Sequence, residues 1–426
     1  MVLLFLSLIR SNGEIKINKF YYIIASALMG FYWPTSIEGK VSVVLSLGSI
    51  VVPALFLLLS IKLNKWQWAR MPYLWLLFLI ILIFTLISPF HYVAWGGAAP
   101  YILASLVLLT DFRYVREIEY FRVDKILVGV IFSVNIFILA IGFGIIVGDL
   151  SAIELIQKYY QSIGEELFEQ MVVWYSKPVT IFGSHSTAAF AYFSLFALNL
   201  KMALSVKLNR VWRLFFLISA IGFLSLNLFL LSNTSVMMTV GMGVVFVLNV
   251  NKIMPAGVRV MFIALLAFVA TMFIVDMNIV QLFIGDSKDN GFLARYNFGG
   301  RLQGTYNYLF QNYFIPIGIS YTSEISLGDN FIAEYIVKTS VIGYSIILYL
   351  LWTWLRRHLD FHSTIMFFGF FILADFAYPL LVYSRFAAAL PFYVLLWCRL
   401  ESNYFLKKSL SKENKFIYGS SPIIKL

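Results

Sequence analysis

Long, solidly apolar runs alternate along this chain with short connections rich in basic residues, glycine and proline. Runs of roughly bilayer-spanning length lie near residues 20–36, 41–61, 71–89, 92–110, 126–147, 184–203, 214–231, 236–250, 258–275, 331–354, 365–378 and 386–400. The pattern predicts an all-α polytopic integral membrane protein with about twelve spans and both termini on the cytoplasmic side. A closed β-barrel would also satisfy its backbone in lipid, but it needs apolar and polar residues in alternation, and these runs do not alternate. Glycine and proline interrupt the fourth run around Trp95, Gly96, Gly97 and Pro100.

Two outward-facing connections are long. In the first, 149–180, Ile153, Ile156, Tyr160, Ile163 and Leu167 recur at three- and four-residue steps, with Glu165, Glu166 and Glu169 on other faces. That spacing predicts an amphipathic helix lying in the membrane interface. The second, 276–328, repeats Leu302, Tyr306, Leu309, Phe310 and Tyr313 with helical period until Pro316 and Gly318 stop the helix. Gly299 and Gly300 permit tight backbone geometry at its start. The expected organisation is a single transmembrane domain over 1–426 carrying these two periplasmic loops.

Composition agrees with this plan. The 426 residues are 61% hydrophobic, 18% aromatic and 12% charged, whereas a soluble chain carries about twice that charge. The net charge of +11 resembles a nucleic-acid footprint until its distribution is considered. Most basic residues fall on the cytoplasmic side of the predicted topology, the exceptions being Lys40, Lys158, Lys177, Lys288, Arg295, Arg301, Lys338 and Arg385. This is the positive-inside asymmetry, so no nucleic-acid partner is expected. The single cysteine, Cys398, excludes a disulfide framework and a cysteine-based metal site. The opening MVLLFLSLIR has no basic n-region or small-residue cleavage site, so the first span is expected to act as its own anchor.

Polar residues concentrate in the stretch 295–334, RYNFGGRLQGTYNYLFQNYFIPIGISYTSEISLGDNFIAE. Nothing in the topology rule asks for outward-facing arginines, yet Arg295 and Arg301 lie here and Arg385 lies at the outer end of the last span. Converging guanidiniums suit phosphate or pyrophosphate, which they bind through charge-assisted, often bidentate hydrogen bonds. Pairing with loop acids such as Asp286, Asp289 or Glu324 would explain the same residues without a ligand. His185, beside Ser184, Ser186 and Thr187, can serve proton transfer, contact an anion, or simply hydrogen-bond at the interface. Glu334 would sit just inside the membrane, where an unpaired charge costs about 2.5–3.5 kcal/mol. Lys338, one turn on, offers it an ion pair, and Asp375 near the outer end of its span poses the same choice. Tyr321 and Asp329 complete the expected substrate contacts. Ser232-Asn233-Thr234-Ser235 reads best as the cap of the following helix. No cluster has metal-ligand spacing, and there is no Walker loop, G-x-S-x-G or H-E-x-x-H, so neither metal nor cofactor is expected.

These residues resemble the O-antigen polymerase and ligase superfamily, the Wzy-type membrane glycosyltransferases. The resemblance rests on Arg301-Leu-Gln leading through an aromatic helix to Pro316-Ile-Gly318, on Asp329-Asn330 with Glu334 and then Gly343, on the Ser232 turn, and on Gly183-Ser-His-Ser. It implies a metal-independent, GT-C-like enzyme at the outer face of the bacterial inner membrane. Such an enzyme polymerises undecaprenyl-pyrophosphate-linked repeat units into O-antigen or capsular polysaccharide, with arginines stabilising the departing pyrophosphate. That role is carried to Arg301 first, then to Arg295 and Arg385; His185 and Glu334 are the candidates for the base. Family members often carry an arginine in the small-polar turn, where this chain has Asn233, so the turn is given no anion-binding role. The expected partners are the lipid-linked glycan, the bilayer and a chain-length regulator. The alternatives are an O-antigen ligase and, from another class, a lipid-linked oligosaccharide flippase or transporter. A transporter should show matching halves and polar or discontinuous helices at mid-membrane.

Overall fold

A computed structural model describes residues 68–88, 99–109, 121–159, 178–182, 185–204, 208–230, 232–249, 264, 303–312, 315–320 and 331–375, with single positions between 386 and 397. The elements among them are all helical. In chain order they are α1 (Met71–Ile87), α2 (Ala99–Leu109), α3 (Phe121–Val147), α4 (Leu150–Tyr159), α5 (His185–Ala203), α6 (Arg210–Phe229), α7 (Asn233–Asn249), α8 (Gln303–Gln311), α9 (Phe331–His358) and α10 (Phe361–Asp375). The stretches Val128–Val147, Arg210–Phe229 and Tyr335–His358 are long and apolar enough to cross a membrane, and α1 and α10 are shorter apolar helices. By these helices the chain is a multi-pass membrane protein. The runs expected at 20–36 and 41–61, and most of those at 258–275 and 386–400, lie outside the described residues.

Helix α5 is the centre of the bundle. From Thr187 to Ala203 its residues are buried, apart from the half-buried Ser194 and Ala197. Its polar side chains are paired in place: Asn199 and Asn135 of α3 exchange reciprocal amide hydrogen bonds, and Ser194 meets the Tyr393 hydroxyl at 2.9 Å. Such pairs join helices where the bilayer offers no competing water. Helix α6 folds back along α5, and the Arg213 guanidinium donates to the Ala203 carbonyl across their connection at 2.9 Å. Helix α10 packs through Phe370, whose ring lies 6.3 Å from those of both Phe190 and Phe193. By contrast α1 leaves Trp75 66% and Leu86 75% exposed, the signature of an apolar face turned outward in a chain that spans lipid.

The two ends of the bundle differ in charge. At one end Arg70 donates to the Leu108 carbonyl at 3.0 Å, Lys201 lies 4.6 Å over the Trp397 ring and Arg356 lies 5.4 Å over Phe361. The Tyr73–Tyr349 ring pair, 5.0 Å apart, links the α1 and α9 sides of this end. The other end gathers the N-termini of α5, α7 and α9 and the C-termini of α1, α6 and α10, and it is rich in hydroxyls.

Several helices begin earlier than their apolar runs because polar caps start them. Helix α6 opens at Arg210 rather than near 214, since the Asn209 side chain accepts from the Trp212 amide at 2.9 Å. Asp360 does the same for α10, accepting from the Ser363 amide at 3.0 Å. The Ser232 turn caps α7 as expected: Ser235 N–H donates to Ser232 Oγ at 3.1 Å and Ser232 N–H to Ser235 Oγ at 3.3 Å, a reciprocal box. In the first long loop Asp149 opens α4, receiving the Ser151 amide at 2.9 Å and the Ser151 hydroxyl at 2.6 Å. The Ser151 hydroxyl and amide hold that carboxyl below its ordinary range. Ile153 packs against the core, while the expected positions Tyr160, Ile163 and Leu167 lie outside the described residues.

Helix α9 departs from expectation. It is interrupted at Ser340, where φ is 67° and ψ 173°, a region that a residue with a side chain rarely occupies. The Ser340 hydroxyl accepts from the Gly343 amide at 3.4 Å and so caps the second segment. Thr339 turns its hydroxyl back to the Tyr335 carbonyl at 2.8 Å. A Cβ at Gly343 would lie 2.5 Å from that of Thr339, so the first turn after the break has no room for a side chain there.

Candidate functional site

The hydroxyl-rich end is where the candidate residues fall. His185 is the first residue of α5 and is half-buried. Its neighbour Ser186 shares a hydrogen bond with Thr234 of α7 at 3.1 Å, so the starts of α5 and α7 are tied side by side. Behind them the Tyr192 hydroxyl binds the Pro178 carbonyl and Thr180 Oγ1, anchoring the approach to α5. Asn227 of α6 donates to Thr239 Oγ1 at 2.8 Å. Glu334 lies on the first turn of α9, four residues before the half-buried Lys338; its side chain lies outside the described residues. Arg295, Arg301, Arg385, Tyr321 and Asp329 lie outside them as well, so of the residues given a catalytic or substrate-binding role His185 alone has its surroundings described.

The end of the second long loop is built in detail. Helix α8 spans Gln303–Gln311 and stops before Pro316, as its sequence predicts. Its buried face is Tyr308 and Leu309, which cluster with Ile317 and Val337. Phe310, expected on that face, is 57% exposed, because Ile317 and Val337 lie against the neighbouring positions instead. Burial pushes the Tyr308 phenol above its ordinary value, in keeping with its role as donor to the Ile315 carbonyl at 3.2 Å.

From there residues 316–320 enter the bundle and are buried. The Ile317 amide donates to the Val337 carbonyl of α9 at 2.8 Å, and the Ile319 amide donates to Thr85 Oγ1 of α1 at 3.0 Å. Gly318 has φ +63°, and a Cβ on it would fall 2.1 Å from Thr85 Oγ1 and 2.5 Å from the Thr85 nitrogen. Glycine is required here both for the left-handed backbone and for the close approach. Ser320 is buried, and its hydroxyl has no hydrogen-bond partner among the described residues. Thr85 is the neighbour of this turn that sequence reasoning missed. It is a lone hydroxyl in the apolar run FLIILIFTLI, and nothing local distinguishes it from a threonine that merely bonds its own helix.

Two further features lie within the bundle. Asp375, at the end of α10, is 4% exposed. One carboxylate oxygen accepts from the Tyr344 hydroxyl at 3.1 Å, and the other has no partner among the described residues. The Tyr344 ring stacks 5.1 Å from Tyr335, and Tyr335 meets Tyr101 edge-on at 6.0 Å. An apolar cavity of about 70 Å³ opens between α5, α7 and α10, lined by Phe193, Met242, Phe370 and Leu390 among others. Among the described residues no three His, Cys, Asp or Glu side chains are grouped as metal ligands.

What this arrangement can do chemically follows from its two halves. A half-buried imidazole and paired hydroxyls can orient or exchange protons with a polar group at the bundle end. The seated turn gives the loop that carries the arginines a fixed root. Comparison of the chain with protein-family models, with curated proteins and with solved structures finds no match.

Proposed function

We propose that this protein is a membrane glycosyltransferase that polymerises undecaprenyl-pyrophosphate-linked oligosaccharide repeat units into O-antigen or capsular polysaccharide. It works at the periplasmic face of the bacterial inner membrane, with its basic end and both termini toward the cytoplasm. The observation that carries the reading is the seating of residues 315–320 between α1 and α9, at the same bundle end as His185. A long loop bearing Arg295 and Arg301 is thereby rooted on rigid helices, as positioning of an anionic substrate requires.

In the proposed reaction an acceptor sugar hydroxyl attacks the anomeric carbon of the growing chain. The new glycosidic bond forms as the bond to the lipid pyrophosphate breaks. Arg301, assisted by Arg295 and Arg385, stabilises the negative charge that the pyrophosphate gains, and His185 or Glu334 takes the hydroxyl proton. Tyr321 and Asp329 hold the glycan.

Two observations favour a second reading. A broken helix and a buried carboxylate, at Ser340 and Asp375, are features of transporters, so a lipid-linked oligosaccharide flippase is the alternative from another class. The test of both is genetic complementation with Arg301→Ala and Arg301→Lys, read as the chain-length ladder of surface glycan. Under the proposal both variants leave single-repeat glycan on the surface and lose the ladder. A full ladder in both sinks the assignment. Complete loss of transferred repeats points to a ligase, and repeats trapped inside the cell point to a flippase.

A further inference from the structure

The break in α9 and the seat of the loop are the same construction. In a regular helix the Val337 carbonyl would accept the amide of residue 341. Ser340, at φ 67°, lies between the two, and the Val337 carbonyl receives the Ile317 amide. Across the groove Thr85 donates its hydroxyl proton to the Ile81 carbonyl at 2.7 Å, which turns its oxygen lone pairs toward the Ile319 amide. Gly318, between these two bonds, lies so near the α1 backbone that a side chain would not fit. The turn is therefore held at two points by two different helices.

We propose that Thr85 is a positioning residue for the polymerisation site: its hydroxyl, with the Val337 carbonyl, locks the root of the second loop and so fixes where α8 sits against the bundle. The linkage runs from Thr85 to Ile319, from Val337 to Ile317, from Ile315 to Tyr308, and so to α8. The role in catalysis rests on the glycosyltransferase reading; the lock itself does not. It also gives the helix break a purpose other than transport.

The test compares Thr85→Val, which keeps the shape and removes the acceptor, with Thr85→Ser, which keeps the acceptor. Amide exchange over 315–320 in the purified, full-length protein should quicken roughly tenfold in Thr85→Val and stay near wild type in Thr85→Ser. Turnover on the lipid-linked substrate should fall about a hundredfold in Thr85→Val at a similar half-saturating concentration, and Thr85→Ser should restore it. If Thr85→Val does not accumulate, Gly318→Ala, which excludes the turn while leaving Thr85 intact, carries the same expectations. Unchanged exchange in the variant overturns the lock. Faster exchange with a normal ladder, in a background where Arg301→Ala abolishes the ladder, overturns the positioning role and leaves the glycosyltransferase reading standing. A normal ladder in Arg301→Ala removes that reading, and exchange alone then decides the lock.

Discussion

Helices α5 and α9 start at the same end of the bundle and treat their backbone in opposite ways. In α5 the helix is regular, and its polar side chains, Asn199 and Ser194, are spent on neighbouring helices. In α9 the regularity is given up at Ser340, and a main-chain carbonyl is spent on a loop. The difference shows a division of labour. Along its length a helix buried on nearly all sides joins its neighbours through side chains, and its backbone serves them only at its end, where the Ala203 carbonyl receives Arg213. In α9 a backbone carbonyl beside the break serves a loop as well as the helix fold.

This contrast can be broken first at Ser340. Ser340→Ala keeps the unfavourable backbone and loses the cap, and should lower the unfolding free energy by about 1–2 kcal/mol. Ser340→Gly removes the strain at little cost in capping and should raise it by about 1 kcal/mol. Thermal unfolding in micelles reads both; if the two variants shift in the same direction, the break is not a strained receptor for the turn.

A smaller effect is expected on the other side of the contrast. Asn199→Ala deprives Asn135 of its partner and should cost about 1 kcal/mol of stability while leaving the glycan ladder intact. Loss of the ladder at normal abundance would move α5 from scaffold to site.

The smallest effect lies away from both helices, at Asp149. The carboxyl-carbon NMR shift of Asp149 should titrate below the ordinary aspartate range, and Ser151→Ala should raise it. Because the folded-state value is depressed, the contribution of this cap to α4 is complete above the ordinary value and is lost as pH falls through the depressed one. A midpoint within or above the ordinary aspartate range would remove the cap from the description of α4.

How much of this was legible in the chain depends on how local the cause is. Ser232 and Ser235 announce their cap within four residues, and Pro316 with Gly318 announces the end of α8. The starts of α6 and α10 came earlier than their apolar runs because Asn209 and Asp360 act through single hydrogen bonds that hydrophobic periodicity does not register. Thr85 and Ser340 were opaque for a different reason. Each is an unremarkable hydroxyl residue within an apolar segment, and its meaning comes from a turn far away in the sequence. For His185 the position at a helix start was legible; its chemistry depends on a partner that no local pattern supplies.

The separation of Thr85 from Ile319 has a bearing on how the protein is made. These hydrogen-bonded residues stand 234 positions apart, so at about 5–20 residues per second roughly 10–50 seconds of translation separate them. During that interval Thr85 has only the Ile81 carbonyl of its own helix, a bond that lets a lone hydroxyl enter lipid without an unsatisfied donor. The groove is thus prepared early and filled late. Chains released before Ile319 emerges would have α1 in place and the receiving side chain ready, with nothing yet to seat in it.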